Sequence, residues 1–306
     1  MNAPTPPKPL HIAFGVDRNY APAMGVTIIS VVANNPQTDF VFHVFAEFLP
    51  PEDLEIIERL AQQLKTSINV HTLQHQTLSS IYYKKLPNFS IYYRLFLCEI
   101  LKDVAEHVLY LDSDIVSVRA IPPFPELGEA VIAVVLDADQ EDRNTHINRP
   151  ALTPYFNSGV MYINVQRWNA NNTTNKTLDI LGAPNTFRFP DQDALNIVLA
   201  DKVVWLDEKW NRMRNTASSI DELPADTVFL HYAGDKPWHA WRPIFLDPPF
   251  AKYFERSPWP VQRLLAPQTR KNKLQYARHL FKRGHLPQAV LWYLRFLSTP
   301  RKSSGQ

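Results

Sequence analysis

Residues 10–46 read LHIAFGVDRNYAPAMGVTIISVVANNPQTDFVFHVFA. A short apolar run ends at Gly15, the polar turn VDRNY occupies 16–20, and 21–34 has the length and apolar spacing of a helix. A second apolar run fills 40–46, so the stretch reads strand, turn, helix, strand. The pattern repeats outward. Residues 51–64 form a helix with Glu52 and Asp53 in its first turn, and 68–73 a third strand. Residues 92–100 read as a helix, 108–111, 130–136 and 158–164 as buried strands, and Asp191 opens a helix to about 199. Short strands follow at 203–206 and 227–231. Such β–α alternation predicts an α/β fold, a mainly parallel twisted sheet flanked by helices in the Rossmann-like manner, with ligands beyond the carboxyl ends of its strands.

Composition narrows the class. The 306 residues are 45% hydrophobic and 12% aromatic, enough to fill a core, which excludes a disordered or fibrous chain. Twenty-six prolines against 8 glycines, with no GxGxxG and no GxxxxGK, argue against a glycine-rich phosphate loop. A single cysteine, Cys98, lies in an apolar run, so no disulfide framework forms and a reducing, cytoplasmic compartment is expected. Residues 1–9 carry four prolines and are expected to be a disordered leader rather than a signal or an anchor. The longest strongly apolar stretch, 130–136, is far below the ~20 residues a membrane span needs.

Charge is split along the chain. Of 32 Lys/Arg, eleven lie in 256–306, which has no Asp or Glu, so residues 1–255 hold 21 basic against 30 acidic side chains. An acidic body thus precedes a basic tail, and such a tail suits an anionic surface. The expected division is a catalytic domain over 10–255 and a basic helical tail over 256–306.

Two segments carry chemistry. HVLYLDSD sets Asp112 and Asp114 where a buried strand ends, and in extended chain side chains two apart point to one side, so both carboxylates could face one cation. The bland alternative is an Asx-type turn. HYAGDKPWH, residues 231–239, follows another apolar strand and supplies an imidazole, His231, a close backbone approach at Gly234 and an ammonium, Lys236.

These segments, with FGVDRNY, SIYYRLFLCEIL, FNSGV and DQDALN, resemble glycosyltransferase family 8 in order and spacing from about residue 10 onward. Within that family, SPW at 257–259 and the tail LFKRGHLPQAVLWYLRFL look most like bacterial lipopolysaccharide core glucosyl- and galactosyltransferases. The resemblance implies a GT-A fold and a retaining, metal-dependent transfer of glucose or galactose from a UDP-sugar. It implies Asp112, Asp114 and His231 as ligands of Mn²⁺ or Mg²⁺, and Asp17 and Asn19 on uracil and ribose with Tyr20 nearby. It places Ser113 near the ribose, Gly234 and Lys236 on the diphosphate, Arg94 at the donor sugar and phosphate, and Asp137, Asn157, Asp191 and Gln192 around the transferred sugar. One residue separates Gly234 from Lys236 where many relatives have two.

Most of these positions have a structural competitor. Asp191 could cap its helix, Asn157 could be a turn residue before its strand, and Trp238 and Trp241 could be core aromatics. A family position occupied by an amide, Gln192, is a poor nucleophile, which favours front-face transfer with Gln192 stabilising the cationic sugar over a covalent intermediate on Asp191. In 270–283, basic residues alternate with Leu274, Tyr276, Leu280 and Phe281, so a helix there is expected to lie apolar side down on an anionic bilayer, at the inner face of the cytoplasmic membrane. Lipid-linked oligosaccharide is the acceptor expected on such a surface. A nucleic-acid role lacks any reader module, and a nucleotidyltransferase would want a glycine-rich N-terminal loop. The alternative is a non-catalytic sugar-nucleotide binder or membrane-surface scaffold.

Overall fold

The computed structural model describes residues 8–74, 89–214, 223–242, 244–260, 267 and 269–300. The opening stretch forms as its periodicity predicts, with β1 (Leu10–Gly15), α1 (Ala21–Asn34) and β2 (Phe40–Ala46), followed by α2 (Pro51–Leu64) and β3 (Ser67–Thr72). Then come a 3₁₀ segment (Phe89–Leu95), α3 (Leu97–Ile100), β4 (His107–Leu111), β5 (Ile115–Ser117), β6 (Ile132–Leu136) and α4 (Gln140–His146). β7 (Phe156–Asn164) leads through α5 (Val165–Ala170) and α6 (Thr173–Gly182) to α7 (Pro190–Val198) and β8 (Val203–Leu206). The chain closes with β9 (Arg212–Met213), β10 (Phe229–His231), α8 (Pro248–Phe254), α9 (Arg270–Lys282) and α10 (Leu286–Leu297).

Seven strands make the main sheet in the order β3-β2-β1-β4-β7-β6-β8. β7 runs antiparallel to both its neighbours, and the other pairs are parallel, as the β–α alternation predicts. Strand alternation sends Phe42 and Val44 to one apolar cluster with Ile12 and Phe14, and Phe45 to a second with Tyr92 and Trp168. A smaller sheet, β5-β10-β9, sits beside the end of β4. Helix α1 fixes it from inside: Thr27 donates to the Ile115 carbonyl at 2.6 Å, and Ser30 Oγ accepts from the Ser117 amide at 2.9 Å.

Two expectations are corrected. Residues 92–100 are not one helix but a 3₁₀ segment and a four-residue α-turn, because side chains take carbonyls a longer helix would use. Thr174 Oγ1 donates to the Leu95 carbonyl at 2.6 Å, Asn169 Nδ2 to that of Cys98 at 2.9 Å, and Arg94 Nε to that of Ile91 at 3.1 Å. The strand read from 158 begins at Phe156, so Asn157 is a strand residue rather than a turn preceding it. The register against β6 jumps between Val134↔Met161 and Val135↔Asn157, an irregularity of the kind that re-aims side chains near sites.

Three imidazoles line up across β1, β2 and β3: His11 Nδ1 lies 2.9 Å from His43 Nε2, and His43 Nδ1 lies 3.0 Å from His71 Nε2. Burial, then the neighbouring His71 and His11, lowers the His43 pKa to about 3. The fold therefore favours neutral His43. Its contribution to stability is complete above the ordinary pKa of 6.5 and is lost as pH falls from there toward about 3, at up to about 1.4 kcal/mol per pH unit. Urea denaturation between about pH 7 and 4 is expected to show this loss, and His43→Phe to flatten it.

The C-terminal part is anchored by Trp259. Its Nε1 donates to buried Asp53 on α2 at 2.9 Å, and its ring lies against Gly25, where an added Cβ would come within 2.3 Å. Helices α9 and α10 pack together, with Tyr276 between Trp241 and Trp292 at 5.6 and 5.3 Å. The apolar side expected on 270–283 is thus partly covered, with Leu280 buried and Phe281 exposed, while on α10 Val290, Leu291, Leu294 and Leu297 are exposed. Residues 1–7 of the leader, and Arg263, Arg301 and Lys302 of the tail, lie outside the described residues.

Candidate active site

Five chain segments converge beyond one edge of the two sheets. β4 ends before Asp112, β6 before Asp137, β10 at His231, β7 starts with Asn157 just inside it, and α7 presents Asp191 and Gln192 in its first turn. Between them lies a cleft of about 1320 Å³ lined by Arg94, Asp112, Asp114, Asp137, Asn157, Asp191, Gln192, His231 and Gly234. This is where a parallel sheet offers a crevice, because loops diverge there.

Residues 112–114 form a turn between β4 and β5, not the extended continuation expected from their spacing. Their carboxylates converge all the same. β10 pairs antiparallel with β5 so that His231 sits opposite Ile115, and the Tyr232 amide donates to the Asp114 carbonyl at 3.0 Å. His231 Nε2 lies 3.3 Å from Asp114 Oδ1 and 3.7 Å from Asp112 Oδ2, and one ligand atom from each residue falls within 4.8 Å of the others.

The donor set suits a divalent ion. His231 Nδ1 is 2.9 Å from Asn211 Oδ1, which fixes Nδ1–H as the donor and turns the Nε2 lone pair to the carboxylates. Gly159 leaves the floor open: a Cβ there would lie 2.3 Å from His231 Cε1 and 2.9 Å from Asp112 Oδ2. Burial opposes the charge of Asp114, but Lys236, which donates to it, outweighs burial and holds the carboxyl well below its usual range.

Arg94 is the most central cation of the cleft, which Arg143, Arg212 and Arg214 also line, in that it contacts both Asp112 and Asp191. It is 6% exposed, stacks on Tyr110 at 4.6 Å, and reaches Asp112 at 2.8 Å and Asp191 at 3.1 Å. Burial works against the guanidinium charge, yet Asp112, Tyr110 and Asp191 raise its pKa above the ordinary value. For Asp191 burial dominates and raises the carboxyl pKa despite Arg94. Asp191 lies in the first turn after Pro190 and spends its carboxylate on Arg94, while Asp193 accepts the amides of Arg188 and Phe189.

An unbroken hydrogen-bonded path joins His231 to Gln192. Asn211 Nδ2 donates to Asn157 Oδ1 at 2.8 Å, and Asn157 Nδ2 donates to Gln192 Oε1 at 3.1 Å. The Ser158 amide also donates to Gln192 Oε1, at 3.0 Å, while Gln192 Nε2 reaches Asp137 at 3.4 Å and Tyr155 at 3.3 Å. The amide plane of Gln192 is held from both sides.

Other expected residues stand outside the cleft lining: Asp17, Asn19, Tyr20, Ser113 and Lys236. Asp17 accepts the Asn19 and Tyr20 amides at 2.8 and 3.1 Å, the Asx turn that leads into α1. Tyr20 meets Trp238 edge-on at 6.0 Å, and Trp238 is buried. Lys236 reaches Asp114 and the Tyr232 carbonyl instead of open cleft. A Cβ at Gly234 would meet nothing within 4 Å. Sequence reading missed Asn211, Gly159 and Tyr155. Of these only Gly159 had a signal, as the glycine within FNSGV.

Two family models cover nearly the whole chain: glycosyl transferase family 8 over residues 11–242, and glycosyl transferase family 8 C-terminal over 247–299. The lipopolysaccharide 1,3-galactosyltransferase of Salmonella typhimurium is 33% identical, with 94% of this chain and 90% of the relative covered. The lipopolysaccharide glucosyltransferase WaaO of Escherichia coli is 32% identical, covering 93% and 89%. Among solved structures, an active-site mutant of LgtC superposes with a TM-score of 0.70 at 22% identity, covering 82% of this chain and 97% of that one. Galactosyltransferase LgtC in complex with donor and acceptor sugar analogs gives 0.67 at 23% identity over the same shares. With this fold and these matches, the chain belongs to glycosyltransferase family 8 and has its GT-A architecture.

Proposed function

We propose that the protein transfers glucose or galactose, with retention of configuration, from a UDP-sugar to a hydroxyl of the lipopolysaccharide core. The observation that carries this reading is the meeting, in one cleft, of the Asp112, Asp114 and His231 cluster with Arg94, Asp191 and Gln192. Mn²⁺ or Mg²⁺ held by the cluster would supply Lewis-acid neutralisation of the departing diphosphate.

The chain's own residues supply the rest. Arg94 adds a fixed positive charge that needs no reorganisation as negative charge grows. Asp191 is tied to Arg94, which makes it a weak nucleophile, so transfer proceeds on one face. The bond from the anomeric carbon to the phosphate oxygen breaks, the acceptor oxygen bonds on the same side, and its proton passes to the leaving phosphate. Gln192, oriented by Asn157, Ser158 and Asp137, stabilises the cationic sugar. Exposed Val290, Leu291, Leu294 and Leu297 on α10, in a tail without acidic residues, support a place on an anionic membrane surface where a lipid-linked acceptor would be met.

Incubation with UDP-glucose and UDP-galactose, truncated core acceptors and Mn²⁺ tests the reading. The expected result is metal-dependent release of UDP and a glycosylated acceptor with one of the two donors. Nucleotide binding without turnover, or pyrophosphate formation, would overturn it. Gln192→Ala is expected to lower turnover about 10²- to 10³-fold, and trapping a glycosylated peptide containing Asp191 would sink the front-face route.

A further inference from the structure

Four buried side chains between β10 and α7, His231, Asn211, Asn157 and Gln192, form a row of hydrogen bonds whose direction is fixed at both ends. A carboxamide can face either way, but its oxygen only accepts and its nitrogen only donates. Two backbone amides remove the choice. The Gly159 N–H donates to Asn157 Oδ1 at 3.0 Å, and the Ser158 N–H donates to Gln192 Oε1 at 3.0 Å, so both oxygens must stand where they are. Asn157 Oδ1 takes its second donor from Asn211 Nδ2 at 2.8 Å, which leaves Asn211 Oδ1 facing the imidazole at 2.9 Å. That oxygen demands a proton on His231 Nδ1, and in the neutral ring the lone pair then lies on Nε2, the atom 3.3 Å from Asp114.

The backbone holds Asn211 firmly in this place. It follows the 3₁₀ turn Glu208–Trp210, with its own amide donating to the Glu208 carbonyl at 3.0 Å, and it directly precedes β9, which pairs with β10 so that Met213 stands beside His231. At 2% exposure, with both ends of its amide spent on protein partners, it acts through His231 and Asn157 and not on a substrate. Turning the Asn211 amide over would set its oxygen against Asn157 Oδ1.

We infer that Asn211 is a positioning residue of the cleft: it presets His231 to offer Nε2 to a cation, and through Asn157 it ties that setting to the orientation of the Gln192 amide. The inference rests on reading Asp112, Asp114 and His231 as a cation cluster.

Ring ¹⁵N shifts of His231 in the metal-free full-length protein, assigned through His231→Gln, read the tautomer, and paramagnetic resonance titration reads Mn²⁺ affinity. In the wild type the proton is expected on Nδ1. Asn211→Asp keeps an oxygen for His231 but loses the donor to Asn157. It is expected to hold the Nδ1 proton and to bind Mn²⁺ at least as tightly as the wild type. Its Gln192 side-chain N–H resonances, assigned through Gln192→Ala, are expected to move, and its turnover at saturating Mn²⁺ to fall at least about tenfold. Asn211→Leu loses both contacts and is expected to weaken Mn²⁺ binding about 10- to 100-fold as well. A residue that only filled space would not divide Mn²⁺ affinity from turnover in this way. A wild-type proton on Nε2, unmoved Gln192 resonances in Asn211→Asp, or unchanged Mn²⁺ affinity in Asn211→Leu would overturn the inference. Wild-type protein that bound no Mn²⁺ would sink the cluster reading and the inference together. The tautomer, Mn²⁺ and resonance arms need no sugar transfer, so a wild type that bound Mn²⁺ yet turned over neither donor would overturn the proposed function while those arms decided the inference.

Discussion

Asp114→Asn is expected to lower sugar transfer by roughly 10²- to 10³-fold or more, because it removes a charged member of the Asp112, Asp114 and His231 cluster and the counter-charge of Lys236 at once. The second loss should also appear in stability. Lys236 and Asp114 are only 13% and 10% exposed at their side chains, so the variant leaves an ammonium buried without its counter-charge. Stranding one member of such a pair costs about 3–5 kcal/mol, a large share of the ~5–15 kcal/mol that holds a domain together. Adding Lys236→Met removes the stranded charge, and the double variant is expected to regain much of the thermal midpoint while staying inactive. Kinetics and thermal unfolding measured side by side check this. Activity that returned along with stability would show that the carboxylate serves only to hold the lysine.

Gly159→Ala is the second large effect, although it adds a single methyl group. The new Cβ would lie 2.3 Å from His231 Cε1 and 2.9 Å from Asp112 Oδ2, distances no relaxed contact allows. His231 cannot simply swing away, since its Nδ1 is bound to Asn211 and its backbone is paired with β5. The methyl group therefore pushes two of the three cluster residues apart while leaving their chemistry intact. Mn²⁺ affinity is expected to fall about 10- to 100-fold and transfer with it, as read by paramagnetic resonance titration alongside the activity assay. Unchanged Mn²⁺ affinity would mean that the ion is held elsewhere.

Legibility in the sequence follows how local the cause is. The strand and helix alternation over 10–72 was readable because burial on one face imposes a period on neighbouring residues. The region 92–100 was misread because its helix is interrupted by donors from Asn169 and Thr174, which no local pattern announces. The candidate site divides the same way. Asp112 and Asp114 were visible as a polar pair closing an apolar strand, and Asp191 and Gln192 as the opening of a helix. Asn211, which orients His231, sits in a stretch with no motif of its own. On the tail, the amphipathic helix over 270–283 was readable in outline, but not which apolar side the following helix would cover.

The sequence by itself determined the α/β class, the strand ends where polar groups gather, and the split between an acidic body and a basic tail. Each depends on side chains close together along the chain, where burial and charge act locally. Tertiary structure alone decided that His231 meets Asp114, through the register of β10 on β5, and that Gly159 clears the space between them. It also brought Trp241 against the α9–α10 pair. Those juxtapositions join segments distant in sequence, and only backbone pairing and packing across the finished core set their distances.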